Sequence, residues 1–497
     1  MLHSRSQSIE LEENKNGSSF RSNKSFDVEH ESHAGQPTRN PIVEKRLLRK
    51  IDFWILPILC LIYFVASMDR GDIGNAQIAG MQEDLGIPDS QWPKVTSMFF
   101  IGYIICQPLG TIFLRKFTPP VILGFAVCFW GTLTVLLLTV KNAQSAIGLR
   151  VLIGASEGLT QASPFYMSIW YRGHELGTRG AIVFSVSSLA GAFNGLIAYG
   201  VTLGYSDKPP FKPWQWLFLI EGCFSIGIGL IAWALLPPVP ERIKFGFSPQ
   251  EKEIAVQRSI EAYNTLDAKI NVKKILPVFK KPVVWGLMVT YASLNFTLGS
   301  LSSFMPSMIK GMGYTSVDSQ LMSVPVYAIG FVSTLFFGLL SDRLKIRGYF
   351  ILGLMTMMLI GYIIIVAVHT PNVRYAGICI AAFGLYPCIP LTLAWMNNSV
   401  IGYTQRATAL SSINMFSQTM AIAANASFTD PPYYLKGTTA NVGVLSVGIL
   451  VVTFNIFWMK RLNRFKVQNA DSKESEELRA LSYDDIGSDH PDFYYTP

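Results

Sequence analysis

Apolar positions along the chain gather into twelve runs near 51–76, 93–113, 121–140, 146–170, 180–203, 215–236, 283–305, 321–340, 349–369, 374–396, 407–428 and 441–459. Each is about 20 residues long, the length an α-helix needs to cross a hydrocarbon core of about 30 Å. The strip Asp69-Arg70-Gly71-Asp72 interrupts the first run, but apolar and small residues resume at Ile73 and continue to Met81, which predicts one long helix with charge inside it. The pattern predicts an all-α polytopic membrane protein with twelve transmembrane helices. Polar segments mark the boundaries: a largely disordered tail at 1–50, a six-helix block at 51–236, a linker at 237–282, a second six-helix block at 283–459 and a tail at 460–497. The linker opens on the stop signal Pro237-Pro238-Val239-Pro240, then shows the capping box Ser248-Pro249-Gln250-Glu251 and an amphipathic stretch to about Asn264, which predicts one surface helix.

Composition supports this reading. Of 497 residues, 50% are apolar and only 15% are Asp, Glu, Lys or Arg, against about 25% charged in an average soluble domain, which argues against a soluble enzyme. Residues 1–40 contain no apolar h-region, so a signal peptide is not expected. Twelve spans place both tails on one side, and Lys45, Arg46, Arg49, Lys50, Lys460, Arg461, Arg464 and Lys466 assign that side to the cytosol. The net charge of +8 resides in these flanks, so it implies contact with anionic lipid and no nucleic-acid partner. All six cysteines fall within the runs, which gives a disulfide framework no support, and the histidines suggest no metal site.

An internal repeat is visible. Gly110-x4-Arg115-Lys116 corresponds to Gly338-x3-Asp342-Arg343-x3-Arg347 at an offset of 228, Arg179 to Arg406 at 227, and Trp170 to Trp395 at 225. Such a 6+6 arrangement is similar to the major facilitator superfamily, and Gly338-Leu-Leu-Ser-Asp342-Arg343-x3-Arg347 looks like its signature loop. In the first-half copy Leu114 stands where that pattern has aspartate. Within the superfamily the chain most resembles the anion:cation symporter family, in its fungal allantoate-permease branch. The resemblance rests on Met68-Asp69-Arg70-Gly71-Asp72-Ile73-Gly74-Asn75-Ala76, Arg150-x3-Gly154-x2-Glu157-Gly158, Trp170-Tyr171-Arg172-x2-Glu175-x3-Arg179, Trp216-Leu-Phe-Leu-Ile-Glu221-Gly222 and Asp489-His490-Pro491-Asp492-Phe493-Tyr494. That branch usually carries Asn where this chain has Asp72.

Six charged groups lie four or more residues from either end of a run: Asp69, Arg70, Asp72, Arg150, Glu157 and Glu221. An ionisable group within a span is expensive against lipid and functional by default. Arg150 and Glu157 are seven residues apart, which puts them on one helix face about 10 Å apart along the axis. Guanidiniums in a dry cavity suit a carboxylate, because arginine offers a rigid two-donor fork. A carboxyl desolvated between spans suits a proton. Arg70 and Arg150 are therefore candidates to hold a substrate anion, with Asp69 and Glu157 as candidates for proton coupling. Arg150 with Glu157 could instead be a structural pair, Asp72 could hydrogen-bond the outer end of its helix, and Glu221 reads more simply as a tether.

The family motif, carried over, implies that Asp69 is a proton site, Arg70 a substrate-anion site and Glu157 a second proton site. Tyr103 and Gln107 match positions near substrate. Asn295, Trp395 and Asn414 are candidates placed only by helix position and residue type, and Asp342, Arg343 and Arg347 form a candidate gate. The expectation is a monomeric plasma-membrane carrier, or one in a vacuolar or other internal membrane, with protons as coupling ions and no cofactor. It would take up a small organic anion, such as a ureide, vitamin or related nutrient, by alternating access. The alternatives are a pH-indifferent uniporter or drug exporter, and a non-transporting nutrient sensor on a carrier fold; no motif supports a membrane enzyme.

Overall fold

A computed structural model describes residues 41–205, 210–243, 246–263, 275–481 and 486–497. The expected N-terminal tail up to residue 40 lies outside the described residues, which contain helices and no strand. Helix α1 (Pro41–Ala76) begins ahead of its apolar run and continues through a wide turn, Gln77–Met81, to Gln82–Asp84. Gly80 supplies the positive φ of 100° at which that turn bends. The following helices are α2 (Trp92–Lys116), α3 (Pro119–Leu136), α4 (Ala143–Leu159, resumed as Ser163–Trp170), α5 (Gly173–Tyr205) and α6 (Pro213–Leu235). After the linker helix α7 (Pro249–Tyr263) come α8 (Pro282–Lys310), α9 (Ser316–Leu344), α10 (Arg347–Ala367), α11 (Pro371–Ser399), α12 (Tyr403–Ser427), α13 (Leu435–Gln468) and the short α14 (Lys473–Arg479).

Every apolar run lies in one of these long helices to within about two residues at the ends, except that the run 121–140 outlasts α3 and finishes in a tighter turn at Leu137–Thr139. Eight are long and apolar enough to cross a membrane by length and composition: α1, α3, α5, α6, α9, α10, α11 and α13. The other four also carry polar residues. Helix α2 carries Tyr103 and Gln107, α4 carries Arg150 and Glu157, and α8 and α12 are rich in Ser, Thr and Asn.

The packing repeats as the sequence does. In the first half α2 packs on α4, α3 on α6 and α3 on α4; in the second, α9 packs on α11, α10 on α13 and α10 on α11, which are the corresponding pairs. Among the contacts between the halves are α2 with α12 and α5 with α9. Exchanging the two repeats turns one of these crossings into the other, as a pseudo-twofold axis requires.

Lipid-embedded helices gain little from excluding water between them, so small residues that allow close backbone approach dominate their crossings. The α2–α4 crossing shows this directly. A Cβ placed on Gly154 would stand 1.9 Å from the Phe99 carbonyl oxygen, and one on Gly102 would stand 2.0 Å from that of Val151. This contact sets Tyr103 of α2 against Glu157 of α4. We expect Gly154→Ala to push the helices apart and cost about 1–3 kcal/mol, as overpacking does, seen as a lower unfolding temperature of the purified protein. Gly148, on the same helix with open space at its Cβ, is the control, and Gly148→Ala should leave that temperature unchanged or higher. Equal behaviour of the two variants would show that the crossing does not set the helix spacing.

The linker helix forms where its capping box predicts. Glu251 N–H donates to Ser248 Oγ at 3.2 Å, and Ser248 N–H donates to Glu251 Oε2 at 2.9 Å. Burial alone would raise the Glu251 carboxyl, but the Ser248 N–H and the Lys50 ammonium outweigh it and hold the group below the usual carboxylate range. Arg258 of α7 pairs with Glu44 and, at 2.6 Å, with Glu175, so the linker is tied to α1 and to the start of α5. At the same end Arg179 holds Asp52 through two nitrogens, at 2.6 and 2.8 Å, and lies over the Tyr171 ring. The motif Trp170-Tyr171-Arg172-x2-Glu175-x3-Arg179 thus serves to fasten helix ends together.

Candidate functional site

Asp69 and Arg70 are neighbours on α1, so their side chains leave the helix about 100° apart. Arg150 and Glu157 stand two turns apart on α4. The structure joins the two sets crosswise. Arg150 Nη1 lies 3.5 Å from Asp69 Oδ2, while Arg70 Nη2 donates to Glu157 Oε1. Thr134 Oγ1 on α3 donates to Asp69 Oδ1 at 2.9 Å, and the Arg150 guanidinium lies 4.9 Å from the Phe99 ring centroid.

Access differs sharply within the set. Asp69, Arg150 and Glu157 have side chains 3%, 2% and 1% exposed, whereas that of Arg70 is 22% exposed. Arg70 uses a single nitrogen, Nη2, for both Glu157 and the Tyr103 hydroxyl at 3.3 Å, and its guanidinium lies 5.2 Å from the Tyr103 ring centroid. Its buried Nε and the Oε2 of Glu157 have no hydrogen-bond partner among the described residues. Tyr63 of α1 and Tyr291 of α8 also lie within electrostatic reach of Arg70, so both halves contribute to its surroundings. Arg150, in contrast, is sealed against Asp69.

The remaining candidates fall in different places. Asn295 returns its amide to the Tyr291 carbonyl one turn back at 3.0 Å, beside the Arg70 site. Gln107 lies one turn along α2 from Tyr103, with Oε1 buried and no partner among the described residues. Asn414 is half-buried on α12, where its carbonyl accepts from Ser417. Trp395 does not join the cluster: its indole N–H donates to the Thr496 carbonyl at 2.9 Å, so it anchors the C-terminal tail. The same tail is held by Lys466, which donates to the carbonyls of Ser488, His490 and Phe493, and by Asn463 with Tyr495. Asp342 pairs with Arg347 at 3.1 Å across the α9–α10 loop, while Arg343 is exposed and makes no ion pair among the described residues. Both partners belong to the second half, so in this state the pair staples its own loop.

A family model for the Major Facilitator Superfamily matches residues 59–425, which takes in most of both repeats and the whole charged set. The chain belongs to the Major Facilitator Superfamily. The carrier is 31% identical over 468 residues to the high-affinity nicotinic acid transporter of Saccharomyces cerevisiae, covering 93% of this chain and 86% of that protein. It is also 31% identical to the MFS-type transporter cnsO of Penicillium expansum, over 91% of this chain and 90% of the other. Among solved structures, a D-xylose-proton symporter superposes with a TM-score of 0.62 at 15% identity, covering 82% of this chain and 97% of that one. A bacterial homologue of the human lysosomal transporter Spinster, inward-facing and occupied, gives 0.60 at 15% identity, covering 84% and 97%. These structures establish the fold, and the sequence relatives make this a membrane transporter of small molecules and not an enzyme.

Proposed function

We propose that the carrier takes up a small organic monocarboxylate together with protons across the plasma membrane, as a monomer of the anion:cation symporter branch. The observation that carries this reading is Arg70: partly exposed, with Nε lacking an acceptor among the described residues, and held by Glu157 through one nitrogen. Glu157 and a substrate carboxylate compete for the same guanidinium. When Glu157 takes a proton its grip on Arg70 ends, and the two-donor fork turns to the substrate. The loaded site, with arginine cation, substrate anion and neutral Glu157, then carries the same net charge as the empty one, so the rocking of the repeats moves no uncompensated charge through a medium of low dielectric. Asp69 is a second proton acceptor with Arg150 as its counter-ion. The Tyr63, Tyr103 and Tyr291 rings around Arg70 suit a flat aromatic acid, and the relationship to a nicotinic acid transporter supports the same class. The test is uptake of labelled nicotinate by Saccharomyces cerevisiae cells that lack their own high-affinity transporter and express this chain. Uptake should rise as external pH falls and collapse with a protonophore. Uptake indifferent to both would establish a uniporter and remove the proton from the mechanism.

A further inference from the structure

The membrane interior of this protein holds four carboxyls, Asp69, Asp72, Glu157 and Glu221, and two guanidiniums that pair with Asp69 and Glu157. Asp72 and Glu221 form no ion pair among the described residues. Both are buried, Asp72 at 0% and Glu221 at 3% exposure. They line a small pocket between α1 and α6, together with Asp69, Met68 and Ser225. Asp72 Oδ1 accepts from Asn194 Nδ2 at 2.6 Å, but Asp72 Oδ2 and both oxygens of Glu221 have no hydrogen-bond partner among the described residues. An ionised carboxylate in such surroundings, without a partner, neutralises sooner than remain charged.

We infer that Asp72 and Glu221 form a proton-binding site of their own between α1 and α6, separate from the Arg70–Glu157 pair, with both carboxyls neutral in this state. The groups facing Asp72 are Asp69 on its own helix, Arg150 from α4, Tyr327 from α9 and the uncharged Asn194 from α5. Those facing Glu221 in the pocket are Asp69 and Asp72, with Ser225 on its own helix. Protonation also answers the missing hydrogen bonds, since a neutral carboxyl gains an O–H donor that the carboxylate lacks. Asp69 borders both this pocket and the Arg150 pair. A proton leaving Glu221 for an ionised Asp69 leaves Glu221 as carboxylate and Asp69 neutral, which releases Arg150 without any ion crossing lipid.

The site is tested without substrate, so its failure is separate from that of the transport reading. In the purified full-length protein at neutral pH, infrared spectra should show the carbonyl stretch of protonated carboxylic acids. Glu221→Gln and Asp72→Asn should each remove part of that band and together most of it. Both replacements match the neutral form in shape, so the unfolding temperature should stay near that of the wild type. If Glu221→Gln does not fold, Asp72→Asn alone decides. A band unchanged by the substitutions, or no band in the wild type, would overturn the site. So would loss of the band with proton release when sodium chloride is added at constant pH, which would make this a sodium site.

Discussion

Replacing Glu157 by Gln is expected to abolish accumulation of substrate against its gradient while leaving exchange of internal for external substrate. Net symport needs a group that binds a proton on one side and gives it up on the other, and glutamine does neither. Exchange brings the loaded site back without net proton movement, so it survives. Glutamine also resembles the protonated form of Glu157, which leaves Arg70 open to the carboxylate in every state. Affinity should therefore hold or improve while the accumulation ratio falls to unity. Breaking a buried pair by removing one partner commonly destabilises by about 3–5 kcal/mol. Here the penalty is smaller because Arg70 retains 22% exposure and its contact with Tyr103. Surface expression, exchange and accumulation measured on the same cells separate these effects. A Glu157→Gln protein that accumulates nicotinate at the wild-type rate would take Glu157 out of the coupling.

The helices and their repeat were legible because membrane-length apolar runs leave little choice of structure: backbone groups without water must be satisfied within the helix. The members of the charged set were legible for a related reason, since charge inside such runs stands out. How they pair was not. Reading Arg150 and Glu157 as one face of α4 identified their common direction, but whether each meets the other, Asp69 or Arg70 depends on the height at which α1 crosses α4, and the sequence does not state it. Thr134 and Asn194, which hold Asp69 and Asp72, carry no signal in the sequence, because threonine and asparagine are ordinary in membrane helices. For Trp395, helix position and residue type say nothing of the tail that reaches it from about a hundred residues along the chain. The partner of Asp342 was decided by a turn: Lys345 adopts a left-handed φ of 56°, which ends α9 and brings Arg347, not Arg343, back to the aspartate.

Arg70→Lys is expected to weaken nicotinate binding by about tenfold or more, equivalent to about 1.4 kcal/mol, while the protein still reaches the cell surface. Lysine preserves the positive charge that Glu157 pairs with, so the fold should tolerate it. What is lost is geometry. The guanidinium reaches Glu157 and the Tyr103 hydroxyl through Nη2 and leaves Nε without an acceptor among the described residues, so one planar group can serve Glu157 and a substrate in turn. An ammonium is a point charge with a strongly held hydration shell and has no paired donors to match the two oxygens of a carboxylate. It also stacks less well on the Tyr103 ring, which lies 5.2 Å from the Arg70 guanidinium. The same logic separates acid from amide. Nicotinamide has the ring but offers no anion, so it should bind the wild type no better than nicotinate binds Arg70→Lys. Equal uptake of acid and amide, or wild-type affinity in a surface-expressed Arg70→Lys protein, would remove Arg70 from the substrate site and leave the crosswise pairs as purely structural bonds between α1 and α4.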